Sequence, residues 1–405
     1  QDIIKCGSFT GTSSGEVSVN LGFEPQFIIY KLANNTSSGD NDNWRMHDVM
    51  RGWNVNDREL LNPNTNAAES NLSNTGGYEI KPTATGFIHE GHAGSSGSDY
   101  IYMAIRRGGM QTPTAASDVF HVQQQSSGDT YSVGFPTDFA ILARTGGYSI
   151  NSMVGTRLNS GKYLVTSATD AEGSSGNAFI WDLQNSFDQN FSSSPEWVGW
   201  HWARARGYFD VVAYTGNATN GRELKHNLGV VPEMVWTKSR SQTKNWIVYH
   251  SALGNTNTLT LNTTGQADDE SAGMQSTPTA TSLFLNGGTS TNANNQTHIA
   301  YLFATVAGVS KVGSFTQSGA TNVDCGFTGD TPSFLILKKT NSTGSWFTFD
   351  STRGLVAGND KVLYLNSTSA QSDDSDVADP YSGGFATTAN LSDGDYIFYA
   401  IAATS

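Results

Sequence analysis

The stretch Pro232–Lys238 (PEMVWTK) returns 100 residues later as Pro332–Lys338 (PSFLILK). It also occurs near the beginning of the chain as Pro25–Lys31 (PQFIIYK), and a looser copy is Asp138–Arg144 (DFAILAR). A segment that recurs at intervals of this length indicates a tandem array of one structural module. Arrays of this kind usually serve as scaffolds or multivalent binders, so the repetition favours these roles over a single catalytic site.

Three further landmarks follow the Pro-led strand in the same order. The first is a strand that carries a tryptophan, the second is an apolar strand that closes on an asparagine, and the third is an aromatic-rich closing strand. The tryptophans are Trp44, Trp246 and Trp346, the asparagines are Asn62, Asn262 and Asn366, and the closing strands are 100–104, 197–202, 299–303 and 396–400. Because the tryptophans recur, we interpret them as part of the core of the module.

The residue pattern and the composition both predict an all-β fold. In the first copy Phe27, Ile29 and Lys31 alternate with Ile28 and Tyr30, so both faces of this strand are expected to be covered. Only 15% of the residues are charged, 11% are aromatic and 43 are glycine, which is typical of short strands joined by polar turns. We therefore predict a tandem array of small antiparallel β-sandwich, jelly-roll-like modules.

The landmarks divide the chain into four repeats. The predicted ranges are 1–109, 110–208, 209–309 and 310–405. The second repeat is degenerate, because Tyr148-Ser149-Ile150 stands where the tryptophan strand is expected. The joints are short and contain glycine, at Gly108, Gly207 and Gly308, so neighbouring repeats are expected to pack against one another in a rod or a compact arc.

One part of the chain resembles a known family. Tyr208–Gly216 begins a stretch that continues through Pro232–Arg240, Leu261–Thr264 and Ile299–Phe303. This stretch resembles a tandem-repeat β domain of unknown function that occurs in tail-fibre and other virion-associated proteins of marine bacteriophages, especially cyanophages. The last repeat is similar through Phe334–Lys339. The resemblance implies a virion structural protein, such as a tail fibre or tail-tip appendage, that contributes to host attachment, and it supplies no catalytic residues.

Composition limits the partners and the compartment. A formal net charge of −13 argues against binding to nucleic acid or to anionic lipid, and no apolar run approaches the roughly 18 residues of a membrane span. Cys6 and Cys325 occupy non-matching places in their repeats, so we expect two small, buried or semi-buried thiols and no disulfide framework.

The expected partners are other copies of the chain (a trimer if it is a fibre), other virion proteins and, for attachment, a host surface glycan or lipopolysaccharide. The expected location is the virion surface, outside the cell.

No motif predicts a metal, a cofactor or catalysis. His92 is the third residue after His89 and follows Gly91, whereas in a zinc-binding helix the second histidine is the fourth residue after the first. Acidic clusters such as Asp373-Asp374 lack the spacing of a calcium loop. A carbohydrate-binding array and a capsid-decorating protein remain alternatives to a fibre, and a polysaccharide depolymerase is a further one.

Three aromatic residues depart from the repeat and are the candidate ligand-binding residues. They are Trp53, Tyr148 and Trp181, and none of them has a counterpart in the other repeats. Exposed aromatic rings flanked by Asn and Asp can stack on sugar rings. The structural alternative, in which each ring plugs a loop or meets another subunit, stays open at this point.

Overall fold

The computed structural model contains strands and short 3-10 turns, with no α-helix in the part of the chain that it describes. The described residues are 3–13, 16–34, 43–51, 53, 59–71, 80–90, 96–108, 110–125, 130–146, 152–159, 162–174, 179–181, 183–189, 197–269, 273–329 and 331–403. Within these ranges no helix is long and apolar enough to cross a membrane. The predicted all-β sandwich fold is confirmed.

The described ranges contain thirty-five strands, and their bounds are given by repeat. The first repeat contains β1 Ile4–Thr10, β2 Glu16–Asn20, β3 Pro25–Leu32, β4 Arg45–Asp48, β5 Glu59–Leu60, β6 Ser70–Asn71, β7 Ile80–Thr83, β8 Gly86–Glu90 and β9 Asp99–Arg106. The second contains β10 Phe120–Gln124, β11 Thr130–Ser132, β12 Phe139–Arg144, β13 Met153–Thr156, β14 Lys162–Val165, β15 Gly173–Ser174, β16 Phe179–Ile180, β17 Ser186–Gln189 and β18 Trp197–Trp202. The third contains β19 Phe209–Thr215, β20 Arg222–Lys225, β21 Met234–Ser239, β22 Ile247–His250, β23 Gly254–Thr260, β24 Met274–Ser276, β25 Ser282–Leu285 and β26 Thr297–Phe303. The fourth contains β27 Ser310–Gln317, β28 Thr321–Asp324, β29 Pro332–Lys339, β30 Trp346–Asp350, β31 Asp360–Tyr364, β32 Ser372–Ser375, β33 Ala378–Tyr381, β34 Gly384–Thr387 and β35 Gly394–Ala402.

Every repeat has a larger sheet, whose first four strands come in the same order, and a smaller three-stranded sheet; repeat 1 also has the two-stranded sheet β5-β6. The larger sheets have the strand orders β1-β9-β3-β4, β10-β18-β12-β13-β14-β15, β19-β26-β21-β22-β23 and β27-β35-β29-β30-β31-β32. The smaller sheets are β2-β8-β7, β11-β17-β16, β20-β25-β24 and β28-β34-β33. The first and last strands of each repeat therefore pair with each other, and all the described sheets stay within the four ranges given above. All the described strand pairs are antiparallel.

Each repeat has its own core between its two sheets. In the third repeat, for example, Val235 of β21 and Leu302 of β26 face Leu283 and Leu285 of the smaller sheet, and all four are fully buried. The second repeat uses Phe179, Trp181 and Phe187 in the same way, together with other residues. Alternation along the larger sheet sends every second side chain to this inner core and the others to its outer face.

Repeats 2, 3 and 4 share a second core, which we call the common core, on the outer faces of their larger sheets. Phe139 of repeat 2 packs against Tyr301 of repeat 3 with ring centroids 5.0 Å apart, and Phe303 of repeat 3 contacts Tyr399 of repeat 4 with centroids 5.1 Å apart. Phe334 of repeat 4 contacts the rings of repeat 2 in turn. Because repeats 2 and 4 touch although they are not neighbours in sequence, the three repeats form a closed ring. Of the two expected arrangements, a rod or a compact arc, the contact between repeats 2 and 4 excludes the rod.

The two joints inside the ring are equivalent tight turns. Ala205 pairs with Phe209 and Val306 pairs with Ser310 through backbone hydrogen bonds. Gly207 and Gly308 lie between these partners with φ of 76° and 73°, a left-handed conformation that favours glycine. This requirement explains why glycine occurs at these boundaries in the sequence.

Repeat 1 lies outside the ring, and two expectations fail there. Phe27, Ile29 and Lys31 of β3 are only partly buried, whereas the equivalent strands β21 and β29 are covered on both faces. Covering on both sides was expected for β3 as well, and it is wrong for the single chain, because repeat 2 borders only one end of this face, around a cavity lined by Phe27, Ile105 and Arg157. Cys6 of β1 is exposed, which corrects the expectation that both thiols are buried or semi-buried. Cys325 is buried, and burial raises the pKa of its thiol to about 12.

Candidate functional site

The recurring tryptophans join one repeat to the next. The indole N–H of Trp246 in repeat 3 donates to the carbonyl of Val165 in repeat 2 at 2.8 Å, and both atoms are buried or partly buried. The indole of Trp346 in repeat 4 makes the same bond to the carbonyl of Thr260 in repeat 3 at 3.1 Å. The two acceptors occupy equivalent positions. Each one is paired, in the sheet of its own repeat, with the residue that directly follows the tryptophan position of that repeat. These side chains are therefore bridges between repeats, and the interpretation that they belong to the core of a single module was incomplete.

A lysine accompanies each tryptophan bridge. Lys238 donates to the carbonyl of Thr169 and Lys338 to that of Thr264, both at 3.1 Å. Each ammonium lies in an environment that disfavours charge, and burial lowers the pKa of both lysines to about 8. The backbone N–H groups of residues 244 and 344 donate to the same two carbonyls. The interfaces between repeats 2 and 3 and between repeats 3 and 4 are therefore built to the same plan.

The interface between repeats 4 and 2 closes the ring with different residues. Continuing the register of β12 with β13 by one residue places Ser152 where the other repeats carry the bridging tryptophan, and a serine is too short to reach across. Trp200 of repeat 2 supplies the indole instead, and it donates to the Asp350 carboxylate at 2.9 Å. Arg353 binds the same carboxylate at 2.5 Å and lies 5.3 Å from the centre of the Trp200 ring. A charge-assisted bond and a cation–π contact replace the neutral bridge at this interface.

The recurring asparagine orients the tryptophan strand. The side-chain oxygens of Asn262 and Asn366 accept hydrogen bonds from the backbone N–H groups of Trp246 and Trp346. In repeat 1 this acceptor is Asn64, at 2.9 Å from the Trp44 nitrogen, and Asn62 lies two residues earlier. The predicted alignment of Asn62 with Asn262 and Asn366 is therefore shifted by two residues. The shift matters below, because it identifies which carbonyl of repeat 1 matches Thr260.

A buried cluster of charges attaches repeat 1 to the ring. The Arg204 guanidinium donates to both carboxylate oxygens of Glu24 at 2.7 and 2.8 Å, and to Asp210 at 2.7 Å. Asn227 donates to the same Glu24 carboxylate at 2.8 Å. Burial by itself would raise the pKa of Glu24, but attraction to Arg204 and Arg107, together with the hydrogen bonds from Arg204 and Asn227, outweighs burial, and the pKa lies below its usual value. Both charges are therefore retained, and the joint depends on their remaining paired.

A cleft borders this cluster. It has a volume of about 300 Å³ and lies between repeat 1 and the loops of repeat 3. Its basic lining residues are Arg106, Arg107, Arg206 and His226, and Glu24 is the acidic one. Burial lowers the pKa of His226, so this imidazole is neutral near pH 7. Arginine side chains around a polar cleft suit a carboxylate, sulfate or phosphate group.

The sequence predicts this joint poorly, although one signal is present. Arg204 stands inside Trp202-Ala203-Arg204-Ala205, where an isolated charge follows a fully buried strand. Such a charge requires a buried partner of opposite sign. Which carboxylate supplies it depends on how repeat 1 folds back on repeats 2 and 3, and that contact spans 180 residues.

Comparison with known proteins places the chain in a family. A family described as a domain of unknown function (DUF7483) matches residues 3–107 and residues 116–404. The chain belongs to this family. No curated protein and no solved structure matches it. In this DUF7483 protein the first match covers repeat 1 and the second runs through repeats 2–4, so the division between the matches falls where the ring begins.

The predicted ligand-binding aromatics are not presented to solvent where the structure describes them. Trp53 is fully buried in the core of repeat 1, and its indole donates to the Ile80 carbonyl at 2.8 Å. Trp181 is buried in the core of repeat 2 and stacks on Phe179 at 5.6 Å. Tyr148 lies outside the described residues. A buried ring has no free face for a sugar, so the geometry of Trp53 and Trp181 is that of a loop plug.

The motifs considered for metal binding are only partly described. His89 is fully buried beside the rings of Phe9 and Tyr100, at 5.1 and 4.9 Å, whereas Gly91 and His92 lie outside the described residues. Among the residues that the structure describes, no group of three His, Cys, Asp or Glu side chains is arranged to hold a metal ion.

Proposed function

We propose that this DUF7483 protein is a structural component of a phage virion, as part of a tail fibre or tail appendage, and that it contributes to host attachment. The observation that carries the structural part is the common core of repeats 2–4. The phage assignment is supported by the resemblance of the stretch 208–303 and of the last repeat to virion-associated domains.

The common core favours a body that keeps its shape. Domains that move relative to one another meet through small, polar interfaces. Here Phe139, Trp200, Tyr301, Phe334 and Tyr399 meet at one centre, and each is at most 2% exposed. Hydrogen bonds at each of the three interfaces fix the register of neighbouring repeats. A rigid block of this kind suits a part that transmits force or holds a binding surface in place.

The location of the protein tests this proposal directly. Antibodies raised against the purified chain should label intact particles of a phage that encodes it, with gold at the tail or its appendages in negatively stained micrographs. Antibody that has been pre-incubated with the purified chain serves as the control and should give no label. Label confined to infected-cell lysate, with none on purified particles, would contradict a virion role.

A second candidate function, binding of an acidic glycan, is favoured by the cleft of about 300 Å³ with its three arginines. Arg206 is exposed at its rim, so substitution there should leave the fold intact. We expect Arg206→Ala to weaken binding to an anionic polysaccharide, measured by calorimetry, whereas Lys361→Ala, at an exposed site in repeat 4, should not. Equal binding by both variants and by the unaltered protein would exclude the cleft.

A further inference from the structure

Repeat 1 retains the interface residues that build the ring, although it lies outside the ring. Equivalent positions can be assigned by register, because the Pro-led strand pairs with the closing strand in the same way in each repeat. Ile29 pairs with Met103, as Trp236 pairs with Tyr301 and Ile336 with Tyr399. What these positions contact in repeats 2–4 therefore indicates what repeat 1 is built to contact.

The outer face of the larger sheet of repeat 1 is apolar and open. Ile101 is 42% exposed and Ile4 is 53% exposed, and both lie on this face. The residues equivalent to Ile101 are Ile299 and Ile397, and they are at most 2% exposed in the common core. Further partly buried apolar side chains surround Ile101 on the same face, and they are Phe27, Ile29, Met46, Met103 and Ile105. Contiguous exposed apolar surface of this kind is typical of an interaction site.

The bridging pair of lysine and tryptophan is also present. Lys31 lies 5.9 Å from the centre of the Trp44 ring, and the same distance separates Lys338 from Trp346. Trp346 is fully buried because its indole reaches the preceding repeat, whereas Trp44 is only partly buried. In the described part of the chain, the Trp44 indole has no acceptor in another repeat. Repeat 1 thus carries the donor side of a ring interface without its partner.

Repeat 1 carries the acceptor side as well. Asp48 binds Arg51 at 2.6 Å just as Asp350 binds Arg353 at 2.5 Å, with the same three-residue spacing. In repeat 4 this pair receives Trp200, and its side chains are 0% and 1% exposed. In repeat 1 the pair is 23% and 19% exposed. The Asn62 carbonyl of repeat 1 is equivalent to the Thr260 carbonyl of repeat 3, because each accepts a hydrogen bond from the backbone N–H of the threonine three residues later. In repeat 3 this is the carbonyl that accepts the Trp346 indole.

We propose that three copies of this chain associate through repeat 1 and form a second ring equivalent to that of repeats 2–4. Trp44 and the Asn62 carbonyl lie on the same repeat, so copies of repeat 1 can satisfy them with one another in a head-to-tail arrangement. Head-to-tail contacts close into a ring when the rotation between neighbours permits it. Inside each chain, two interfaces of this kind and a third with different side chains close a ring after three repeats. The outer faces of three copies of repeat 1 then form a common core in which Ile101 is buried.

The mass of the full chain in solution tests the number of copies. Native mass spectrometry and sedimentation velocity should give about 130 kDa, three times the 43.3 kDa of one chain. Ile101→Glu places a charge on the face and should return the protein to 43.3 kDa without loss of folding, since this side chain is exposed in the single chain. Val356→Glu is the matched control, because Val356 is 46% exposed in repeat 4, away from this face, and this variant should remain trimeric.

Thiol labelling gives a second readout that does not depend on mass. Cys6 lies on the open face, and the equivalent residues Val211 and Val312 are buried in the common core. In the trimer Cys6 should resist a maleimide, and Ile101→Glu should restore its labelling, while buried Cys325 stays unlabelled in both proteins. A chain that is monomeric at all concentrations with Cys6 freely labelled would overturn the proposal. A dimer, or a trimer that persists in Ile101→Glu, would overturn it equally. None of these outcomes depends on whether the protein is part of a virion.

Discussion

Phe334 offers the sharpest perturbation of the common core. This fully buried side chain of repeat 4 contacts Phe120, Trp200 and Trp202 of repeat 2, with ring centroids 5.3 to 5.5 Å apart. Phe334→Ala leaves a cavity and removes these ring contacts. Such a substitution in a core costs about 3–5 kcal/mol, so we expect the free energy of unfolding of the ring to fall by about 4 kcal/mol.

The location of the effect distinguishes a ring from a row of independent repeats. Hydrogen exchange followed by mass spectrometry should show faster exchange in β18 of repeat 2, because its Trp200 and Trp202 lose their partner. Phe385→Ala is the matched control, since Phe385 is equally buried but contacts Phe315 and Phe398 of its own repeat. The control should lower stability while leaving β18 less affected. If Phe334→Ala changed exchange only within repeat 4, the reasoning from a shared core would be refuted.

Three further predictions concern the charged joint, acid stability and a turn. Arg204→Ala leaves two carboxylates buried without their partner and should lower the free energy of unfolding by about 3–5 kcal/mol, measured by urea denaturation; a loss under about 1 kcal/mol would show that the cluster is not the main attachment of repeat 1. Burial lowers the pKa of His250 and His298 to about 4. Between about pH 6.5 and pH 4 the unfolded chain therefore binds more protons than the folded chain, and the free energy of unfolding decreases as the pH is lowered. Asp360, whose pKa burial raises to about 6, works in the opposite direction, and the net loss at pH 4 should be about 3 kcal/mol, so equal or higher thermal stability at pH 4 would contradict this account. Gly308→Ala forces a side chain into a left-handed turn and should cost about 1–2 kcal/mol in thermal unfolding, and an unchanged melting temperature would argue against this turn geometry.

The repeat pattern predicts the module well because local alternation encodes it. Val235 and Trp236 are both apolar, which indicates a strand covered on both faces, and the structure confirms this for β21. The pattern does not reveal what covers each face. The partner of Trp246 is a carbonyl of the preceding repeat, 81 residues away, and backbone acceptors leave no trace in a sequence. A closed ring and a rod therefore have the same sequence signature.

The candidate binding residues show a different limit. Trp53 and Trp181 have no counterparts in the other repeats, and this difference makes them candidate binding residues in the sequence. In the structure each ring packs in the core of its own repeat. A departure from a repeat thus identifies local packing as readily as a binding site. More information lay in the reverse comparison, since Ile101 and Trp44 keep the character of buried residues while remaining accessible.

A distance between repeats 2 and 4 tests the closed ring most directly. The Thr352 hydroxyl of repeat 4 lies 3.5 Å from the Val122 carbonyl of repeat 2, and Gln124 follows on the same strand with an exposed side chain. Spin labels are attached at Gln124→Cys and Thr352→Cys in a Cys6→Ser background that keeps the buried Cys325. Ile101→Glu is added to exclude contacts between chains, and the distance between the two labels is measured by pulsed electron paramagnetic resonance. The ring predicts a single short distance between the two labels. A distance longer than the width of a whole repeat would mean that repeat 3 separates repeats 2 and 4, and it would contradict the ring.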